Sequence, residues 1–215
     1  MPKMKAPATG AQPPITAIVG SDYNSSLYAD SEYPDTMSQA SNNWTKNKSN
    51  IVDYVLVIKP LDNTLFSNTI EAIIKEESHS AGTPTAINHT NYQPIRFSPI
   101  ACSIETKKPN QAKDPRLQLF TWGAAWHKRI GQVRPTSSTL IPSALLIQVE
   151  GHFWSIHYLC DQGEEMCAYG PQNIGSTENL EQLYALYASL QGIKKWMKNT
   201  FSLRMSNWLR DQSYR

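Results

Sequence analysis

The feature that most constrains this chain is the run IVDYVLVI at positions 51–58. It is apolar and largely β-branched, and only Asp53 interrupts it. Such a run reads as a strand buried on both faces, and both faces are buried only in a sheet flanked by helices. Lys59-Pro60 ends it, because proline cannot donate to the strand ladder. An ionised carboxylate inside an apolar strand is costly unless compensated. Asp53 therefore needs a cation, a hydrogen-bond donor or a metal ion.

The remaining segments complete the sheet. Positions 64–78 place Leu65, Ile70, Ile73 and Ile74 at helical spacing. A loop follows, and Pro94 and Pro99 flank the approach to IACSIETK at 100–107, a second strand. PRLQLFTWGAAWHKRI at 115–130 reads as a helix, with Asp114 as N-cap and Pro115 in its first turn. Leu117, Phe120, Thr121 and Ala124 line one of its faces, and Leu119, Trp122 and Trp126 another, so it should lie largely buried on the sheet. ALLIQVE at 144–150, FWSIHYL at 153–159 and EMCAY at 165–169 read as strands, with Gly151-His152 as the first turn. Positions 177–199 form an amphipathic helix, capped by Thr177, whose stripe comprises Leu180, Leu183, Tyr184, Tyr187, Leu190, Trp196 and Met197. This order predicts an α/β fold: a mixed central sheet flanked by helices.

Three segments follow from the texture. Positions 1–48 are rich in Pro, Ser, Asn, Thr and Ala and read as a low-complexity, disordered tail, with a short helix near 35–43 as its one regular element. Positions 49–200 form the domain, and 201–215 a tail or an extension of the last helix. A length of 215 residues and a hydrophobic fraction of 40% support one core of ordinary size. The net charge of +2 is too mild to mark a dedicated nucleic-acid binder, although a local groove matters more than a total. No signal peptide or spanning helix is visible, which excludes a membrane partner and predicts an intracellular, nuclear or cytoplasmic, setting. The sequons at Asn24, Asn43, Asn47 and Asn88 are then silent.

Chemistry centres on SIETKKP. Residues i and i+2 of a strand share a face, so Glu105 and Lys107 point together while Ile104 and Thr106 point away. Were this strand beside the one carrying Asp53, Asp53 and Glu105 would converge on one hard divalent cation, Mg²⁺ or Mn²⁺, with Lys107 at its side. A surface salt bridge, or a buried Asp53–Lys107 ion pair, explains the same residues without catalysis. Cys102, Cys160 and Cys167 are too few for a disulfide scaffold, and with His157 they lack zinc spacing, so they read as reduced thiols in strands. His152 and His157 have no nucleophile at catalytic spacing. Trp122 and Trp126 read as core rather than as a base-stacking platform. Lys107, Lys108, Lys113, Arg116, Lys128 and Arg129 form a modest basic cluster around the candidate site, and 194-KKWMKN-199 is similar.

VDYVLVIKP, INHTNYQPIRFSPIACSIETKKP, the RLQLFTWGAAW helix, IQVEGHFWSIHYL and IGST follow one another in an order that resembles the fungal PD-(D/E)XK nuclease-like domain, a branch of the restriction-endonuclease-like superfamily, over about residues 49–200. The resemblance implies that Asp53 and Glu105 are metal ligands, that Thr106 offers its backbone carbonyl to the metal, that Lys107 is the catalytic lysine and that Gln118 supports the site. It also implies Mg²⁺ or Mn²⁺ as cofactor, DNA or RNA as substrate and phosphodiester hydrolysis as the ancestral chemistry. Two features depart from the pattern: Val52 stands where a proline is expected, and the segment ahead of it offers only Asp30, Glu32 and Asp35, around Pro34, as a third acid. Two functions therefore compete. One is a divalent-metal-dependent nuclease. The other is a repurposed, non-catalytic domain that binds a protein partner or serves as an accessory in fungal secondary metabolism. The sequence sets no oligomeric state.

Overall fold

The structure is a computed structural model that describes residues 15–19, 52–81, 85–90, 92–109, 114–133, 139–163 and 165–210. Six strands make one sheet in sequence order: β1 (Ile15–Val19), β2 (Tyr54–Ile58), β3 (Ile100–Lys107), β4 (Ala144–Glu150), β5 (Phe153–Asp161) and β6 (Met166–Ser176). Each neighbouring pair is antiparallel except β3–β4, which is parallel and needs the long crossover through α2 (Pro115–Val133). Helix α1 (Leu65–Ala81) lies between β2 and β3, and α3 (Leu180–Trp196) follows β6. A π-type turn at Met197–Phe201 then leads into α4 (Ser202–Arg210). The α/β architecture expected from the apolar runs is the one observed.

The sheet is wider than the predicted domain. Ile15–Val19 lies within the 48 residues expected to be a tail, yet it pairs with the whole of β2 and forms one edge of the sheet. The short helix expected near 35–43 lies outside the described residues. At the other end, 202–210 is a helix whose Met205, Trp208 and Leu209 are buried, so this segment extends the fold.

Alternation assigns the two faces. The β3–β4 register pairs Ser103 with Leu146, Glu105 with Gln148 and Lys107 with Glu150, and β4–β5 pairs Gln148 with Ser155. These side chains share the face covered by α2, which packs against β3 and β4. Gly123 lets the helix come close: a Cβ there would meet the Leu159 side chain at 3.0 Å and Leu146 at 3.4 Å. Of the two faces predicted for this helix, Leu119, Trp122 and Trp126 point inward, while Leu117 is 73% exposed, so burial is one-sided rather than general. Both tryptophans belong to the core, as expected.

The segment between α1 and β3 is held by polar groups. Asn88 is buried and donates through Nδ2 to the carbonyls of Ile95 and Ser98, each at 2.9 Å, while its Oδ1 accepts from the Ile100 N–H at 3.0 Å. Arg129 of α2 donates to the Ala86 carbonyl and pairs with Glu77 of α1. The burial of Asn88 removes it as a glycosylation acceptor. No helix among the described residues is long and apolar enough to cross a membrane.

Candidate active site

Asp53 lies at the bend entering β2, one residue before Tyr54, rather than inside the strand. Its Oδ2 accepts from the Thr106 N–H at 2.7 Å and from the Thr106 hydroxyl at 2.5 Å. Thr106 side-chain donation thus answers the compensation that the carboxylate requires. The alternative Asp53–Lys107 ion pair does not form, because Lys107 is turned to Glu105.

Glu105 is fully buried, at 0% exposure. The Lys107 Nζ lies 2.5 Å from its Oε1. Lys107 and the Asp53 backbone both act as hydrogen-bond donors to this carboxylate. Gln118, from the second turn of α2, closes the cluster. Its Nε2 donates to Glu105 Oε2 at 3.1 Å, and its Oε1 accepts from Lys107 Nζ at 3.3 Å. Burial is the main cause that raises the Glu105 carboxyl above its ordinary range. Contact with Lys107 opposes the rise, and the nearby charge of Asp53 adds to it.

Sequence reasoning placed Asp53, Glu105, Thr106, Lys107 and Gln118 in one neighbourhood, and the structure brings them into a cluster of three and a neighbouring pair. Glu105, Lys107 and Gln118 form one cluster, and Asp53 with Thr106 lies beside it at the start of the neighbouring strand. Among the described residues, no group of three His, Cys, Asp or Glu side chains converges on a metal position. Asp30, Glu32 and Asp35 lie outside those residues. His157 and Cys160, three apart in β5, point to opposite faces, so the His157–Cys160–Cys167 set does not gather. All three cysteines are free thiols.

Two arginines of the basic cluster expected around the site are tied to acids of this chain. Arg116 forks onto Asp114, with the Nη2–Oδ2 contact at 2.7 Å, and Asp114 also accepts from the Arg116 N–H as the expected helix cap. Arg129 is committed to Glu77 and Ala86. Lys113 lies outside the described residues. His157 is buried against the edge of the Phe120 ring, 5.1 Å between centroids, and burial followed by the nearby Arg116 charge lowers its pKa. His152 donates or accepts at Nδ1 with the Thr177 hydroxyl at 2.9 Å and pins the β4–β5 turn to the end of β6.

A cleft of about 480 Å³ adjoins the cluster. Its floor includes Gln148 and Glu150, the register partners of Glu105 and Lys107, with Ser155 and Asn173 further along the sheet and Asp114 and Arg116 at the start of α2. Sequence reasoning missed this row. Its signal was Gln148, the polar interruption in ALLIQVE.

The chain matches the family model of the PD-(D/E)XK nuclease superfamily over residues 15–202. It belongs to that superfamily. The match begins at β1, in agreement with the sheet and not with a boundary at residue 49. Neither the curated proteins nor the solved structures yielded a match. Members of the PD-(D/E)XK superfamily with an acid–x–lysine strand typically use divalent metals, and the SIETKKP strand of this chain supplies that pattern on β3.

Proposed function

We infer that this PD-(D/E)XK domain is a divalent-cation-dependent phosphodiesterase acting on DNA or RNA. The observation that supports it most is Glu105 itself: a wholly buried carboxylate contacted by the motif lysine and by Gln118, with Asp53 beside it. Burying a carboxylate works against folding, as the burial-driven rise of its pKa shows, so its presence points to chemistry.

The donor set fits a hard cation. The carboxylates of Asp53 and Glu105 and the carbonyl of Thr106 are all oxygens, the ligand type that suits Mg²⁺ or Mn²⁺. Bound there, such an ion would supply Lewis-acid polarisation of a phosphoryl oxygen and an acidified water. Lys107, whose ammonium lies beside Glu105, would stabilise the charge that develops on the phosphoryl group. Gln118 holds Lys107 and Glu105 in register with each other through its two amide ends. Thr106 orients Asp53 through two donors to a single oxygen, which leaves Oδ1 for a ligand.

The test is cleavage of labelled single- and double-stranded DNA and RNA in Mg²⁺ or Mn²⁺. Lys107→Ala and Asp53→Ala should each lower the rate by about 100-fold or more. Absence of cleavage by the wild-type chain, together with no heat of Mn²⁺ binding, would overturn the reading.

One observation favours a repurposed, non-catalytic domain instead, such as an accessory protein of fungal secondary metabolism. The cleft beside the cluster carries Asp114 and Glu150 against a single Arg116 that is already tied to Asp114. A polyanion entering it meets more negative than positive charge, whereas nucleic-acid grooves gain most of their affinity from cations.

A further inference from the structure

The apolar stripe read on helix α3 is covered only toward its C-terminal end, at Met197, and the helix packs inward through other residues. Leu186 and Ile193 face inward, and the backbone of Leu186 sits so close to β6 that a Cβ on Gly175 would lie 2.5 Å from the Leu186 nitrogen. Leu180, Leu183, Tyr184 and Tyr187 lie on the outer side and are 66%, 43%, 68% and 61% exposed. Their spacing of i, i+3, i+4 and i+7 makes one continuous stripe on a single helix face. Contiguous apolar patches of this kind mark association sites, and tyrosines are enriched at such sites.

We propose that this face of α3 is the interface of a homodimer, in which two copies of α3 pack antiparallel about a two-fold axis near Tyr187. The charges at the helix ends argue for a second copy as the occupant. Glu178 and Glu181 lie at the N-terminal end, and Lys194 and Lys195 in the last turn, all exposed. An axis near Tyr187 brings the acids of one copy beside the lysines of the other, twice over, and opposes the two helix dipoles. The same pattern would repel a parallel arrangement. Pro171 interrupts the free edge of β6 and lacks an N–H, which disfavours strand addition there.

Sedimentation velocity of the purified chain over a concentration series tests this. The wild type should sediment as a dimer at micromolar concentration. Leu183→Glu combined with Tyr187→Glu should shift it to monomer, with an unchanged circular dichroism spectrum, because both positions are exposed. Glu181→Lys and Lys195→Glu should each weaken the dimer by about tenfold, through like charges brought together. The double exchange Glu181→Lys with Lys195→Glu should recover wild-type association. A wild type that stays monomeric at 100-fold higher concentration overturns the proposal. So does a dimer that tolerates the paired glutamates, or single reversals that the double exchange does not rescue.

Discussion

Asn88 and Glu105 are both polar, both buried and carried by the same loop-and-strand unit, yet they are satisfied in different ways. Asn88 gives both of its donors to backbone carbonyls and takes a backbone N–H in return. Backbone partners of this kind are fixed by the fold, so the side chain acts as a structural pin between the 3₁₀ turn at Gln93–Ile95 and the start of β3. Glu105 is held mainly by side chains, Lys107 and Gln118, with the Asp53 backbone as a further donor. Side-chain partners can move when a ligand arrives. The contrast separates a polar group that holds the fold together from one that the fold merely tolerates.

The largest effect expected from this contrast falls on activity. Lys107→Ala removes the cation beside Glu105, and cleavage should drop by about two to three orders of magnitude while the circular dichroism spectrum stays native. A variant that loses activity only because it unfolds, as shown by its circular dichroism spectrum, would place Lys107 with Asn88 on the structural side.

Stability should respond most at Asn88. Asn88→Ala removes the Asn88 bonds to the Ser98 carbonyl and the Ile100 N–H and leaves the Ile95 carbonyl with the Ser98 N–H, which should cost about 2–4 kcal/mol of unfolding free energy in a urea titration. A loss below about 0.5 kcal/mol would mean that water replaces the amide, and the pin would not be one. Gln118→Ala comes next. It removes the bridge between Glu105 and Lys107 without touching the backbone, so cleavage should fall about tenfold, with stability nearly constant. Equal losses in rate and in unfolding free energy would make Gln118 a packing residue of α2.

Local pattern carried some of this into the sequence and left the rest out. The bounds of β3 and β4 were readable to the residue, because IACSIETK and ALLIQVE are apolar segments closed by charge. β6 runs to Ser176, well beyond the EMCAY segment, because 170–173 contributes exposed polar residues and Pro171 that carry no strand signal and are recruited by pairing with β5. β1 was hidden for a similar reason: ITAIV is short, sits among prolines and gains its identity only from β2. The stripe on the last helix was legible, but periodicity reports that a stripe exists and not what covers it. The cap moved as well, since Asn179 and not Thr177 accepts from the Gln182 N–H. At the site, the pairing of Glu105 with Lys107 followed from strand alternation alone. The turn of Gln118 toward them depended on the angle at which α2 crosses β3, which no local pattern encodes.

The smallest effect is the most discriminating, and it concerns the sign of a pH dependence. Burial raises the Glu105 carboxyl in the folded chain above its ordinary value of 4.5. The folded state therefore holds that proton more tightly than the unfolded state does. Below about pH 4 both states keep it and the group is neutral in each, so its contribution is fully present. As pH rises through the raised folded value, ionisation favours the unfolded chain and that contribution is lost. Glu105→Gln carries no titrating proton and keeps an amide able to meet Gln118. The unfolding free energy of the variant should then match the wild type in acid and exceed it increasingly toward neutral pH, with a plateau above the folded value. Urea titrations at several pH values read the difference directly. A gap that is flat, or that opens in favour of the wild type as pH rises, would mean that Lys107 and Gln118 outweigh burial. Glu105 would then be as well satisfied as Asn88, and the strongest reason to assign it to chemistry rather than to architecture would be gone.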